Sequence, residues 1–357
     1  MKLKMSKLRV GDWVEVKSKE EILRTLDGNG WLDGMPFMPE MFAFCGKRFQ
    51  VYKRAHKTCD TVFPVRGRRV ESSVHLDTRC DGSFHGGCQA GCMLFWKEAW
   101  LKRVGHLSGE EAIASVAQEA AGCTEAAVEA NAKVASNDGT AMYVCQATRL
   151  PYASSNLEWW EVGQYIEDYR SGNVGLWRLL CGAVYFLYYF LSQAGIGLGR
   201  PMRWTFDHLN FLWHGSAFPR RAGKIPLGEP TPVQSLNLQP GELVRIKPYR
   251  EILETLNAQN RNRGLYFDAE EVPYCGRTYR VLRRVERIVN ERNGKMQQMK
   301  VPGIILDSVI CEARYSECRL FCPRSIYSYW REIWLERANP KYAAADSKPS
   351  EYAASRE

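Results

Sequence analysis

The sequence predicts an α+β protein in which two tandem-duplicated small modules flank a mainly helical central domain. Three observations lead there. The stretch Cys45-Gly46-Lys47-Arg48-Phe49 returns 230 residues later as Cys275-Gly276-Arg277-Thr278-Tyr279. Around each copy, apolar and polar residues alternate with the two-residue period of strands. Between the copies the pattern changes to alanine-rich and aromatic stretches at helical spacing. The boundaries that follow are a first module over 1–103, a central domain over 104–230, a second module over 231–337, and an alanine- and serine-rich tail over 338–357 that reads as disordered.

Each element of the first module has a local reason. Leu8 to Lys17 alternates after a turn glycine, Gly11, and predicts a strand. Ser18 followed three residues later by Glu21 is a capping box, and Ile22, Leu23 and Leu26 give the short helix an apolar side before Asp27-Gly28-Asn29-Gly30 stops it. Lys47 to Arg54 and Val70 to Leu76 predict further strands, Cys80 to Cys92 a glycine-rich loop, and Trp96 to Leu101 a closing helix with both tryptophans on one face. The second module repeats this order. Gly241, Val244, Lys247, Glu251, Ile252, Leu253, Thr255, Leu256, Gly264, Phe267, Glu270, Val281 and Arg284 each match the residue 230 positions earlier, and duplication is the simplest cause. Pro248 opens the second short helix in place of the serine, because the first helical position needs no N–H.

The central domain predicts helices over Gly109–Cys123, Leu157–Arg170 and around Phe211-Leu212-Trp213. Leu179 to Gly199 carries no charged residue and lies between Arg178 and Arg200. Its strongly apolar part, Leu179 to Leu191, is shorter than the roughly 20 residues a bilayer span requires, so a buried or interfacial helix is the expectation rather than a span.

Composition limits the function classes. At 357 residues, 45% hydrophobic and 25% charged, the chain can bury real cores. A balance of 49 basic against 40 acidic side chains, +9, attracts phosphate only mildly and is far from a dedicated nucleic-acid arm. The N-terminus has no apolar signal region, which predicts a cytoplasmic protein, and in a reducing compartment clustered cysteines point to metal rather than disulfides. No Walker-type phosphate loop, nucleophile elbow or HExxH motif occurs.

The cysteines carry the chemistry. Cys45, Cys80, Cys88 and Cys92 form one quartet, and Cys275, Cys311, Cys318 and Cys322 form its counterpart. Four thiolates suit one tetrahedral zinc ion or one iron–sulfur cluster per module, with disulfides or packed free thiols as the remaining reading. His85 lies inside the first cysteine loop, but the second module has no histidine, so His85 reads as a loop donor rather than a ligand. Cys59, Cys123, Cys145 and Cys181 have no counterparts and read as buried thiols, Cys145 being the best candidate for a reactive one.

Gly11-Asp12-Trp13-Val14-Glu15-Val16 and its echo Gly241-Glu242-Leu243-Val244-Arg245-Ile246 resemble the first strand of small SH3-like barrels, including the KOW modules of ribosomal and transcription proteins. That resemblance covers only this strand of each module and implies an SH3-like barrel and RNA binding. The functional expectation is a zinc-binding interaction protein with a central apolar groove for a protein partner or small ligand. An iron–sulfur redox protein or accessory is the alternative, and a nucleic-acid binder the second.

Overall fold

The computed structural model describes residues 7–63, 66–104, 122–136, 139–195, 197–209 and 217–338. Helices and strands are mixed, as an α+β protein requires, and the chain divides into two compact units. The first contains the residues up to Tyr185 together with Arg287–Gln298 and Glu312–Ile326. The second contains Phe186–Glu286, Met299–Cys311 and the chain from Tyr327 onward.

In the first unit a five-stranded sheet runs in the order Met93–Lys97, Ser73–Arg79, Arg48–Arg54, Trp13–Val16, Leu101–Arg103, every pair antiparallel. Alternation fixes the inward set, so Val14, Val16, Val51, Val74 and Leu76 are all buried. The helix Lys19–Leu23 starts as its sequence dictates. Glu21 N–H donates to Ser18 Oγ at 3.3 Å, and Ser18 N–H donates to Glu21 Oε2 at 2.9 Å. Phe37 closes the core, with its ring 5.1 Å from that of Trp100 and 6.2 Å from that of Trp96, edge to face in both cases. This unit also contains a smaller sheet of Ser155–Leu157, Gly67–Arg69 and Lys57–Cys59, the helix Glu125–Asn131 and the antiparallel pair Lys133–Ala135 with Ala141–Tyr143.

The second module's sheet has the same order, Tyr327–Trp330, Met296–Ile310, Thr278–Val289, Leu243–Ile246, Leu335–Arg337. Its register is that of the first. Trp13 faces Gln50, Val14 faces Phe49 and Glu15 faces Arg48, while Leu243 faces Arg280, Val244 faces Tyr279 and Arg245 faces Thr278. Core contacts recur too: Trp100 Nε1 donates to Thr25 Oγ1 at 3.1 Å, and Trp334 Nε1 to Thr255 Oγ1 at 2.9 Å. Phe267 lies 5.2 Å from Trp334, matching the Phe37–Trp100 pair.

The closing tryptophan helix is replaced by other elements. Trp96 lies in the fully buried strand Met93–Lys97 and Trp100 in the 3₁₀ turn Glu98–Trp100, while Trp330 ends the partly buried strand Tyr327–Trp330 and Trp334 lies in the turn Glu332–Trp334. Met93 to Trp96 is a run of large apolar side chains that pairs with Ser73–Arg79, and sheet pairing overrides the four-residue spacing of the rings. The central helices are shorter than expected. Leu157 ends a strand, and the helix begins only at Gly163. The Phe211-Leu212-Trp213 stretch, most of Gly109–Cys123 and the 339–357 tail lie outside the described residues. The apolar stretch forms the helix Leu176–Gln193, and no described helix is long and apolar enough to cross a membrane. Leu180, Val184 and Leu187 on that helix are exposed.

Candidate metal centre

The site is assembled by the cysteine loop and one 3₁₀ turn of the first unit. Cys80 follows the strand Ser73–Arg79, and its N–H donates to Cys92 O at 2.9 Å, which closes the loop between them. Inside, the N–H groups of His85 and Gly87 both donate to Gly82 O, and that of Cys88 to His85 O. Gly82 must be glycine: its φ is +77°, and a Cβ there would lie 2.1 Å from Cys88 O. From the other side the turn Pro39–Phe44 presents Glu40, which is only 7% exposed.

Glu40, Cys80 and His85 converge. Cys80 Sγ donates to Glu40 Oε1 at 2.9 Å, and His85 Nδ1 lies 3.2 Å from the same oxygen. His85 Nε2 is 3.2 Å from Val144 O, and a carbonyl can only accept, so the ring proton belongs on Nε2. In the neutral imidazole the Nδ1 lone pair then points toward a carboxylate oxygen. Neither Nδ1 nor Glu40 Oε2 has a hydrogen-bond partner, although both atoms are buried. Three Lewis bases therefore face one point with a single thiol proton among them, and buried polar atoms left in that state are rare without a bound ion. All three ligand atoms lie within 4.8 Å of one another.

The cavity beside them is small, about 30 Å³, which suits an ion or a water or two rather than an organic substrate. Cys80, His85, Cys88, Cys92 and Cys145 line it, with Met38, Gln146, Val289 and Arg324. Burial pushes the thiols upward, Cys80 furthest, with the Glu40 carboxylate adding to it, Cys92 to about 12 and Cys145 to about 11. Without a cation these sulfurs are protonated thiols, and a metal ion would have to displace those protons on binding.

The two quartets fare differently from their spacing in sequence. Cys80, Cys88 and Cys92 share the cavity, but Cys45 packs against the hydrophobic core near Lys19, Glu20 and Glu125, and Cys145 lines the cavity in its stead. Cys275, like Cys45, packs against its own core, where burial and Glu271 push its thiol up. Cys322 is buried beside Cys59, whose N–H donates to its sulfur at 3.1 Å, and Cys311 and Cys318 are half-buried. Among the described residues neither quartet forms a set of three or more ligand atoms within 4.8 Å, and Glu40, Cys80 and His85 do. Sequence reasoning passed over Glu40, whose signal was its exact counterpart Glu270, and read His85 as a loop donor rather than as a member of this cluster.

No protein-family model matches this chain, and no curated protein matches it either.

Proposed function

We propose that the protein is a metal-binding interaction protein whose first unit holds one zinc ion on Glu40 Oε1, Cys80 Sγ and His85 Nδ1. A fourth donor is at hand among Cys88, Cys92 and Cys145 in the cavity wall. The carrying observation is the buried, unpartnered His85 Nδ1 opposite a carboxylate oxygen. Zinc suits a mixed imidazole, thiolate and carboxylate set, and its role in this reading is to fix the glycine-rich loop onto the sheet. Each five-stranded sheet is then a small SH3-like barrel, in a protein of the reducing cytoplasm whose exposed central helix offers an apolar surface to a partner.

Elemental analysis of the purified chain tests this reading. One zinc per chain, reduced to a trace in His85→Ala and in Cys80→Ser, supports it, and metal-free wild-type protein refutes it. A second reading places one ion in each module on the two cysteine quartets. The recurrence of sheet register between the modules favours it, and it predicts two ions per chain. A brown, visibly absorbing protein after anaerobic purification would replace zinc with iron–sulfur clusters in either reading.

A further inference from the structure

The duplication allows each buried charge in one module to be compared with its counterpart in the other. In the first module Lys97, 2% exposed, reaches Asp33 Oδ2 at 3.0 Å and Glu71 O at 3.2 Å. Arg331 is its counterpart, 4% exposed, and donates to Val301 O, the position equivalent to Glu71. The neighbouring pair is conserved between the modules as well: Arg54 with Glu98 at 2.5 Å, Arg284 with Glu332 at 2.8 Å. Glu98 accepts from Leu8 N–H, and Glu332 from Leu238 N–H, 230 residues on.

One member differs. The position of Asp33, left-handed at φ +50°, is taken by Arg263 at φ +46°. Arg331 consequently has no carboxylate partner. Its other contacts are carbonyls: Pro302 O at 3.2 Å, Asn262 O at 3.3 Å and Arg263 O at 3.0 Å. Those four carbonyls satisfy hydrogen-bonding capacity but bring no charge, and a buried cation without a counter-charge is costly. Burial lowers the Arg331 guanidinium to about 10. Beside it lies a cavity of about 150 Å³, lined by Arg331, Arg284, Lys300, Glu332, Ser235 and Gln234 among others. Lys300 and Arg263 make no ion pair among the described residues, so positive charge exceeds negative around this space.

We propose that this cavity of the second unit binds a small tetrahedral oxyanion, phosphate or sulfate, which supplies the negative charge that Asp33 supplies in the first module. Arg331 presents its remaining Nη2 hydrogen, and Arg284 and Lys300 close the sides. A guanidinium already held by four carbonyls is a preorganised donor that need not reorient to receive the anion. The occupant is either the free ion or the terminal phosphoryl group of a larger molecule. This site is independent of the metal centre.

The test uses the full-length chain at constant ionic strength, with chloride as the balancing salt. Inorganic phosphate is expected to bind in calorimetry and to raise the melting temperature of the wild type. Lys300→Ala should weaken phosphate binding about tenfold while melting like the wild type without phosphate. Arg263→Asp restores the internal pairing seen at Asp33, so it should melt higher than the wild type without phosphate and bind phosphate at least about tenfold more weakly. A wild type that ignores phosphate, or an Arg263→Asp variant that binds it as well as the wild type does, overturns the proposal. A glycerol phosphate arm identifies the source. Binding as tight as that of inorganic phosphate makes a terminal phosphoryl group the natural occupant, and exclusion of the ester makes it the free ion; either result, with the variant effects, supports the site.

Discussion

Buried His75 makes the first unit acid-sensitive, and substituting it isolates the effect. Its side chain is 0% exposed, Nδ1 is 2.8 Å from Leu94 O, and its ring lies 4.5 Å from that of Phe95. A carbonyl accepts, so Nδ1 carries the proton and Nε2 is bare, buried and without a partner. Protonating Nε2 would place a cation in the core with no acceptor, and burial lowers the group to about 3 from its ordinary 6.5. The unfolded chain takes up that proton below pH 6.5 and the folded chain does not, so stability falls as the pH drops from 6.5 toward 3. At about 1.4 kcal/mol per pH unit, His75 removes about 2.5 kcal/mol by pH 4.5.

The perturbation is His75→Phe, which keeps the ring contact and deletes the titrating nitrogen. At pH 7 the variant loses the hydrogen bond to Leu94 O, at a cost of about 1–3 kcal/mol. By pH 4.5 the gap between wild type and variant should have shifted by about 2.5 kcal/mol in the variant's favour. The assay is urea unfolding followed by tryptophan fluorescence at both pH values. Taking the difference between two proteins cancels every other titrating group. That includes Asp168, which burial raises to about 6 and which acts in the opposite sense, gaining stability as the pH falls through that value. If wild type and variant lose stability in parallel between pH 7 and 4.5, the reasoning from the bare Nε2 is wrong.

Further outcomes follow from other contacts. Phe37→Ala and Phe267→Ala, which remove rings equally placed against Trp100 and Trp334, should each destabilise their unit by about 3–5 kcal/mol, measured as a melting-temperature loss. Asp168→Asn leaves Lys57 as an unpaired buried cation, the two now being 2.5 Å apart and 3% and 0% exposed, and should cost about 3–5 kcal/mol in urea titration. Gly82→Ala drives a methyl group into Cys88 O, so its zinc content should fall while the second unit still folds, read by elemental analysis and circular dichroism together.

Much of the fold could be read from the chain because its local signals agree with one another. The capping box at Ser18, the alternation through Val14 and Val16, and the recurrence of Phe37 as Phe267 and Thr25 as Thr255 are short-range patterns, and the structure realises each of them. What was lost depends on longer-range competition. Trp96 and Trp100 are four apart in a strand and a 3₁₀ turn, a spacing that local sequence cannot distinguish from a helix face. The candidate site was half legible. Cys80 and the loop through Cys92 stood out by repetition, but Glu40 comes from a separate segment that the fold brings to Cys80 and His85, and Cys145 from another that lines the cavity beside them. Cys45 repeats as Cys275 because both pack against equivalent cores, and repetition alone does not separate a packing role from a ligand.

The most direct measurement of the central claim is the zinc content per chain of wild type and of Glu40→Gln, both purified without added metal or chelator. Removing one carboxylate charge from a three-base cluster should strip the ion while leaving the sheet intact. The account predicts one zinc in the wild type and a trace in the variant, and equal content in both proteins, or none in either, contradicts it.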